Sequence, residues 1–134
     1  METASHYAIV VPVHTSFDAT VEALRVSLAA QGFGILCEID VSATLKKKLD
    51  VEHPRTLILG ACNPPLALRA LTAVPDIATL LPCNVVVRMQ GDRVEIATIN
   101  PAAMAQMIQH PEIDAVAQEV DKRLRAALDA VAAP

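Results

Sequence analysis

The sequence predicts an α+β domain of two layers, an antiparallel or mixed sheet of about five strands packed against helices and closed by a long C-terminal helix. Three observations carry this reading. A β-branched run at Ala8–Val13 and an almost unbroken apolar run at Thr56–Ala61 read as strands, two alternating segments flank Gly91-Asp92, and apolar residues keep helical spacing from Ile113 to Val131. At 134 residues, the chain fits one domain, residues 1–134, with a core from about residue 7 to 130.

Ala8–Val13 stops at Pro12-Val13-His14 and reads as a strand. Thr15, with Asp18 three residues on, reads as the cap of a helix. In that helix Phe17, Val21, Leu24 and Leu28 share one face, and Gly32 supplies the stop. Phe33–Ile39 returns to extended character. Asp40 or Ser42 then caps a short helix whose stripe is Val41, Leu45 and Leu49, with Lys46-Lys47-Lys48 as its solvated side. After Pro54, Thr56–Ala61 is an almost unbroken apolar strand. Asn63 stands at an N-cap position and Pro64 at the first helical position, where a missing N–H costs nothing. That helix should end near Val74, followed by a short turn, Asp76–Leu81, closed by Pro82.

Asn84–Gln90 and Arg93–Ile99 form the clearest element, a hairpin about Gly91-Asp92. Counting outward pairs Met89 with Val94, Val87 with Ile96 and Val85 with Thr98 on one face, and Arg88 with Glu95 on the other. A slip of one residue would invert both faces, so the pattern fixes the register. Asn100-Pro101 repeats the cap-then-proline start, with Met104, Met107 and Ile108 as an apolar side. Pro111 opens the long helix, where Glu119–Arg123 and Asp121–Arg125 are i,i+4 pairs. Ala132-Ala133-Pro134 should fray.

Lys+Arg 11 against Asp+Glu 15 gives a net charge of -4, without the basic clusters and stacking aromatics of a nucleic-acid binder. No signal-peptide pattern opens the chain, and no apolar run nears the ~20 residues of a membrane span. The expectation is a cytoplasmic protein, not bound to membrane, with Cys37, Cys62 and Cys83 reduced. A hydrophobic content of 53% in a chain whose only aromatics are Tyr7, Phe17 and Phe33 leaves aliphatic surface to spare and points to a homo-oligomer.

Chemically distinctive residues gather only at Ala61-Cys62-Asn63 and Pro82-Cys83-Asn84. Cys62 directly precedes an N-cap, where helix N–H groups and the positive dipole end favour a thiolate or a bound anion. The bland reading is that both cysteines are small buried residues at tight junctions. Two thiols without Cys-x-x-Cys spacing fall short of a metal site, although His14, at the end of a strand, could join them or serve Cys62 as a base. Glu38 and Asp40, on one strand face, could be paired acid and base or simply a wet edge. No glycine-rich phosphate loop or other cofactor motif is present, so no cofactor is expected.

The segments EIDVSATLKKKL, ILGACNPPLALRAL and LLPCNVVV, followed by the hairpin, INPAAM and the long helix, resemble the bacterial and archaeal domain of unknown function numbered 302. The resemblance covers about Tyr7 to Leu128. It implies a small dimeric α+β domain whose antiparallel sheet is backed by helices in a TATA-binding-protein-like arrangement, without implying DNA binding. Its motif residues map onto Cys62, Asn63, Pro64, Cys83 and Asn84. Three functions stay open: a homodimer binding a small molecule or anion there, a thiol enzyme or redox sensor using Cys62 and Cys83, and a structural module.

Overall fold

A computed structural model describes residues 3–4 and 6–132. Among them six strands form one sheet in the order β1-β2-β6-β5-β4-β3: β1 (Thr3–Ala4), β2 (Ala8–Val13), β3 (Gly34–Asp40), β4 (Thr56–Cys62), β5 (Cys83–Gln90) and β6 (Arg93–Ile99). Every neighbouring pair is antiparallel, so the mixed alternative falls away. Five strands are long, and β1 adds a two-residue edge beside β2.

The hairpin has the register that its side chains demand, with Met89 opposite Val94, Val87 opposite Ile96, Val85 opposite Thr98 and Arg88 opposite Glu95. Gly91 turns with φ +65°, a conformation that glycine adopts without strain. On the outward face Arg88 Nε donates to Glu95 Oε1 at 3.2 Å.

The helices α1 (Phe17–Ala30), α3 (Pro64–Ala73), α4 (Pro101–Ile108) and α5 (Pro111–Asp129) supply the second layer. Val11, Leu59, Val85, Val87 and Ile96 from one sheet face join Leu24, Leu28, Val116, Val120 and Leu124 in one buried cluster. Each large side chain so buried contributes roughly 1.5–3 kcal/mol of transfer free energy. α5 is the keystone of this layer, packing on α1, α3 and α4. Its Ile113, Val116, Val120, Leu124 and Leu128 are buried, while Val131 falls just past its end. Both predicted ion pairs form along it, Arg123 to Glu119 at 2.8 Å and Arg125 to Asp121 at 3.0 Å. Of the three residues expected to fray, Ala132 is held by its N–H on Leu128 O at 2.8 Å, and residues 133 and 134 lie outside those described.

Local chemistry explains most helix ends. Asp40, Asn63 and Asn100 each accept a backbone N–H as N-caps. Gly32, at φ +84°, ends α1: its N–H bonds Ala29 O and that of Phe33 bonds Leu28 O, which satisfies the last carbonyls. Three expectations need correction. The cap of α1 is Ser16, whose hydroxyl accepts from Ala19 N at 3.2 Å, while the Thr15 hydroxyl pairs with that of Thr20. α2 (Val41–Leu49) buries none of its residues, and Leu49 is 66% exposed, because this helix sits at the rim beside β4, beyond the second layer. Met104 is buried but Met107 is 71% exposed, since only one side of the two-turn α4 faces α5 and the sheet. Of the two readings of Glu38 and Asp40, the wet edge agrees with their exposure on the edge strand β3.

The other sheet face carries no helix of the core. Val10, Pro12, Ile58, Val86 and Ile99 lie there half-buried, and β3 leaves Leu36 67% exposed at the sheet edge. A register shift between Ile35 and Cys37 marks a bulge in that edge strand.

Candidate functional site

β4 hands directly over to α3. Cys62 ends the strand, Asn63 caps the helix, and Pro64 and Pro65 occupy its first two positions. The Asn63 side chain, 8% exposed, accepts from Leu66 N at 3.3 Å, and Ala67 N bonds Asn63 O. The two prolines carry no N–H, and the next two are taken. This helix start therefore offers no free backbone donor to an anion, the feature on which helix-terminus anion sites depend. Beside it, Arg123 Nη1 donates to Gln31 O at 3.1 Å and, with the Asn63 amide, crowds the space above Gly32.

β5 begins on the other side of β4, after a cis Leu81-Pro82 peptide. Ala61 faces Cys83 across the ladder and Gly60 faces Asn84. Because successive side chains alternate, Cys83 turns inward and is buried, whereas Asn84 lies exposed on the opposite face. Asn84 accordingly does not join Cys83, and Pro64 is exposed at the helix start.

Cys62, Asn63 and Cys83 do come together around one small cavity of about 30 Å³, with Phe33, Leu66 and Met104 among its walls. Its lining is almost wholly apolar, with room for about one water-sized guest. Burial, with a smaller contribution from the neighbouring Cys62, pushes the Cys83 thiol up to about 11. A catalytic or redox-active thiol needs the opposite displacement.

The third cysteine escaped sequence reasoning. Cys37 pairs with Gly60, and a Cβ at Gly60 would stand 2.6 Å from Cys37 Sγ and 2.9 Å from Pro82 Cγ. Cys37 thus lies at the same end of the sheet as Cys62 and Cys83, but over Gly60 on the outward face, opposite the buried Cys83. No spacing signals this, because the bulge in β3 decides which way Cys37 faces.

Other candidates separate. His14 follows Val13, which pairs with Val94 near the hairpin turn, while Cys62 lies at the opposite end of the sheet, and β6 and β5 intervene between β2 and β4. That distance removes His14 as base or co-ligand for Cys62. Glu38 forms an ion pair with Arg25 of α1. Asp40 caps α2, and the N–H of Ala43 and the Ser42 hydroxyl hold its carboxyl below the usual range. Neither is poised for proton transfer. Among the described residues no three His, Cys, Asp or Glu side chains converge as metal ligands, and no helix is long and apolar enough to cross a membrane.

A family model described as domain of unknown function DUF302 matches residues 9–131. The chain belongs to this family. The DUF302 match runs from the second residue of β2 to just beyond α5 and so includes all three cysteines. The crystal structure of an uncharacterized conserved DUF302 protein from Bacillus stearothermophilus is 31% identical, covers 95% of this chain and 99% of its own, and has a TM-score of 0.89. Among curated proteins none matches the chain. A shared fold does not carry a reaction, so function rests on the site.

Proposed function

We propose that this DUF302 domain is a non-catalytic binding or sensing module that works as a homodimer and takes a small neutral guest beside Cys62, Asn63 and Cys83. The supporting observation is that these three residues line one cavity. Its apolar walls, the raised Cys83 thiol and the absence of free N–H groups at the Asn63-Pro64-Pro65 start favour a neutral guest over an anion. At about 30 Å³, the cavity is far below the ~300 Å³ of an ordinary metabolite site, so anything larger must part the side chains around it. Self-association is supported by the half-buried apolar residues Val10, Ile58, Val86 and Ile99 on a sheet face that no core helix covers. The thiol-enzyme reading is the weaker, since Cys83 is displaced away from reactivity.

A thermal-shift screen of small neutral metabolites tests the site. A true ligand raises the melting temperature by a few degrees, and Ala67→Leu, which fills the cavity, abolishes the response. Absence of any shift, or a response that survives Ala67→Leu, defeats the proposal. For self-association, sedimentation equilibrium should give a dimer that Ile58→Asp converts to monomer; a wild-type monomer at tens of micromolar would sink it.

A further inference from the structure

A second concavity, of about 940 Å³, lies between α4 and α5 and shares no lining residue with the cysteine cavity. Its volume is that of a small-molecule site. Three alanines, Ala102, Ala105 and Ala117, give it a methyl floor, and Gln106, Gln109 and Gln118 place carboxamides around it. On α5, Asp114, Gln118 and Asp121 recur at helical spacing along the groove, so these polar groups form one line. Gln109 reaches its place because it ends α4 in the left-handed conformation, φ 57°.

Charge narrows what the groove can hold. Arg125 Nε donates to both oxygens of Asp121, at 3.1 and 3.0 Å, and offsets that carboxylate. Asp114 is exposed and takes no part in this pair, which leaves the groove with one negative charge in excess. No aromatic side chain lines it, so it lacks the stacking surface that sugars and nucleobases use. A carboxylate beside amide carbonyls accepts the three donors of an ammonium group, and a methyl floor covers methylenes.

The geometry points to a site for a small aliphatic amine of the diamine or polyamine class, its ammonium on Asp114 and the Gln109 and Gln118 carbonyls and its methylene chain on Ala102, Ala105 and Ala117. This site stands apart from the cysteine cavity and does not depend on the reading given to it.

Isothermal titration with putrescine and spermidine at near-physiological salt tests the assignment. The expected result is saturable 1:1 binding that Asp114→Asn weakens about tenfold, the loss of one charge-assisted contact. Gln118→Ala weakens it by a smaller factor, and Asp76→Asn, an exposed acid on another element, leaves it intact. 1,4-Butanediol, of matching length and no charge, should not bind. The assignment is overturned by no saturable binding, by equal losses in the Asp114 and Asp76 variants, which would mean general attraction to an acidic protein, or by equal affinity for the diol. Circular dichroism confirms that the surface variants remain folded.

Discussion

At the end of β4 that meets the start of β5, the dipeptide Cys-Asn occurs on both strands with opposite outcomes. Leaving β4, the chain buries Asn63 and spends its side-chain oxygen on Leu66 N, so the residue starts α3. Entering β5, the chain has a helix behind it and a strand ahead, so Asn84 finds no helix N–H and stays exposed across from Gly60. The cysteines differ as well: both line the same cavity, but Cys83 is buried and Cys62 half-buried. Direction of travel, rather than residue type, decides what each dipeptide does.

The largest effect that would sharpen this contrast comes from alkali. Well below pH 9 the Cys83 thiol keeps its proton in both folded and unfolded chains and contributes nothing to pH dependence. Between 9 and about 11 the unfolded chain ionises first, so stability falls as pH rises, by about 2–3 kcal/mol in all. Urea denaturation from pH 8.5 to 11 should show this slope in the wild type and lose it in Cys83→Ala; an unchanged slope in that variant would mean that Cys83 is not buried as described.

Gly60 separates the two faces at this point. Its Ala variant drives a methyl into Cys37 Sγ and Pro82 Cγ, for an expected loss of about 1–3 kcal/mol. A urea midpoint unchanged from wild type would show that the strand end is loosely packed. The smallest effect compares the asparagines directly. Asn63→Ala removes a cap and should cost about 1–2 kcal/mol, whereas Asn84→Ala should stay within about 0.5 kcal/mol. Equal losses in thermal melts would collapse the distinction drawn between the two junctions.

Much of this was legible from residue order. The Gly91-Asp92 hairpin could be registered to the residue because apolar partners on one face and Arg88–Glu95 on the other exclude every slip. The Asn-Pro starts at Asn63 and Asn100 and the stripe of α5 follow from capping and periodicity. Where patterns failed, the missing information was what lay opposite. Leu49 and Met107 fit apolar stripes but face no second layer. Placement at strand ends left open whether Cys62 and Cys83 meet; with Asn63 they line one cavity, while Pro64 and Asn84 fall outside it. The amine groove escaped notice because its two walls come from separate helices whose polar residues look like ordinary solvated faces.

The sequence by itself determined the long strands and the helices, the Asn63 and Asn100 caps and the hairpin register, since each depends on interactions within a few residues along the chain. Only the tertiary structure decided that His14 and Cys62 lie at opposite ends of the sheet. It also decided that Cys37 folds over Gly60 and that α4 and α5 enclose a groove. The strand order β1-β2-β6-β5-β4-β3 brings together residues far apart in the chain. Such pairings are set by the burial of a shared core, which no local pattern encodes.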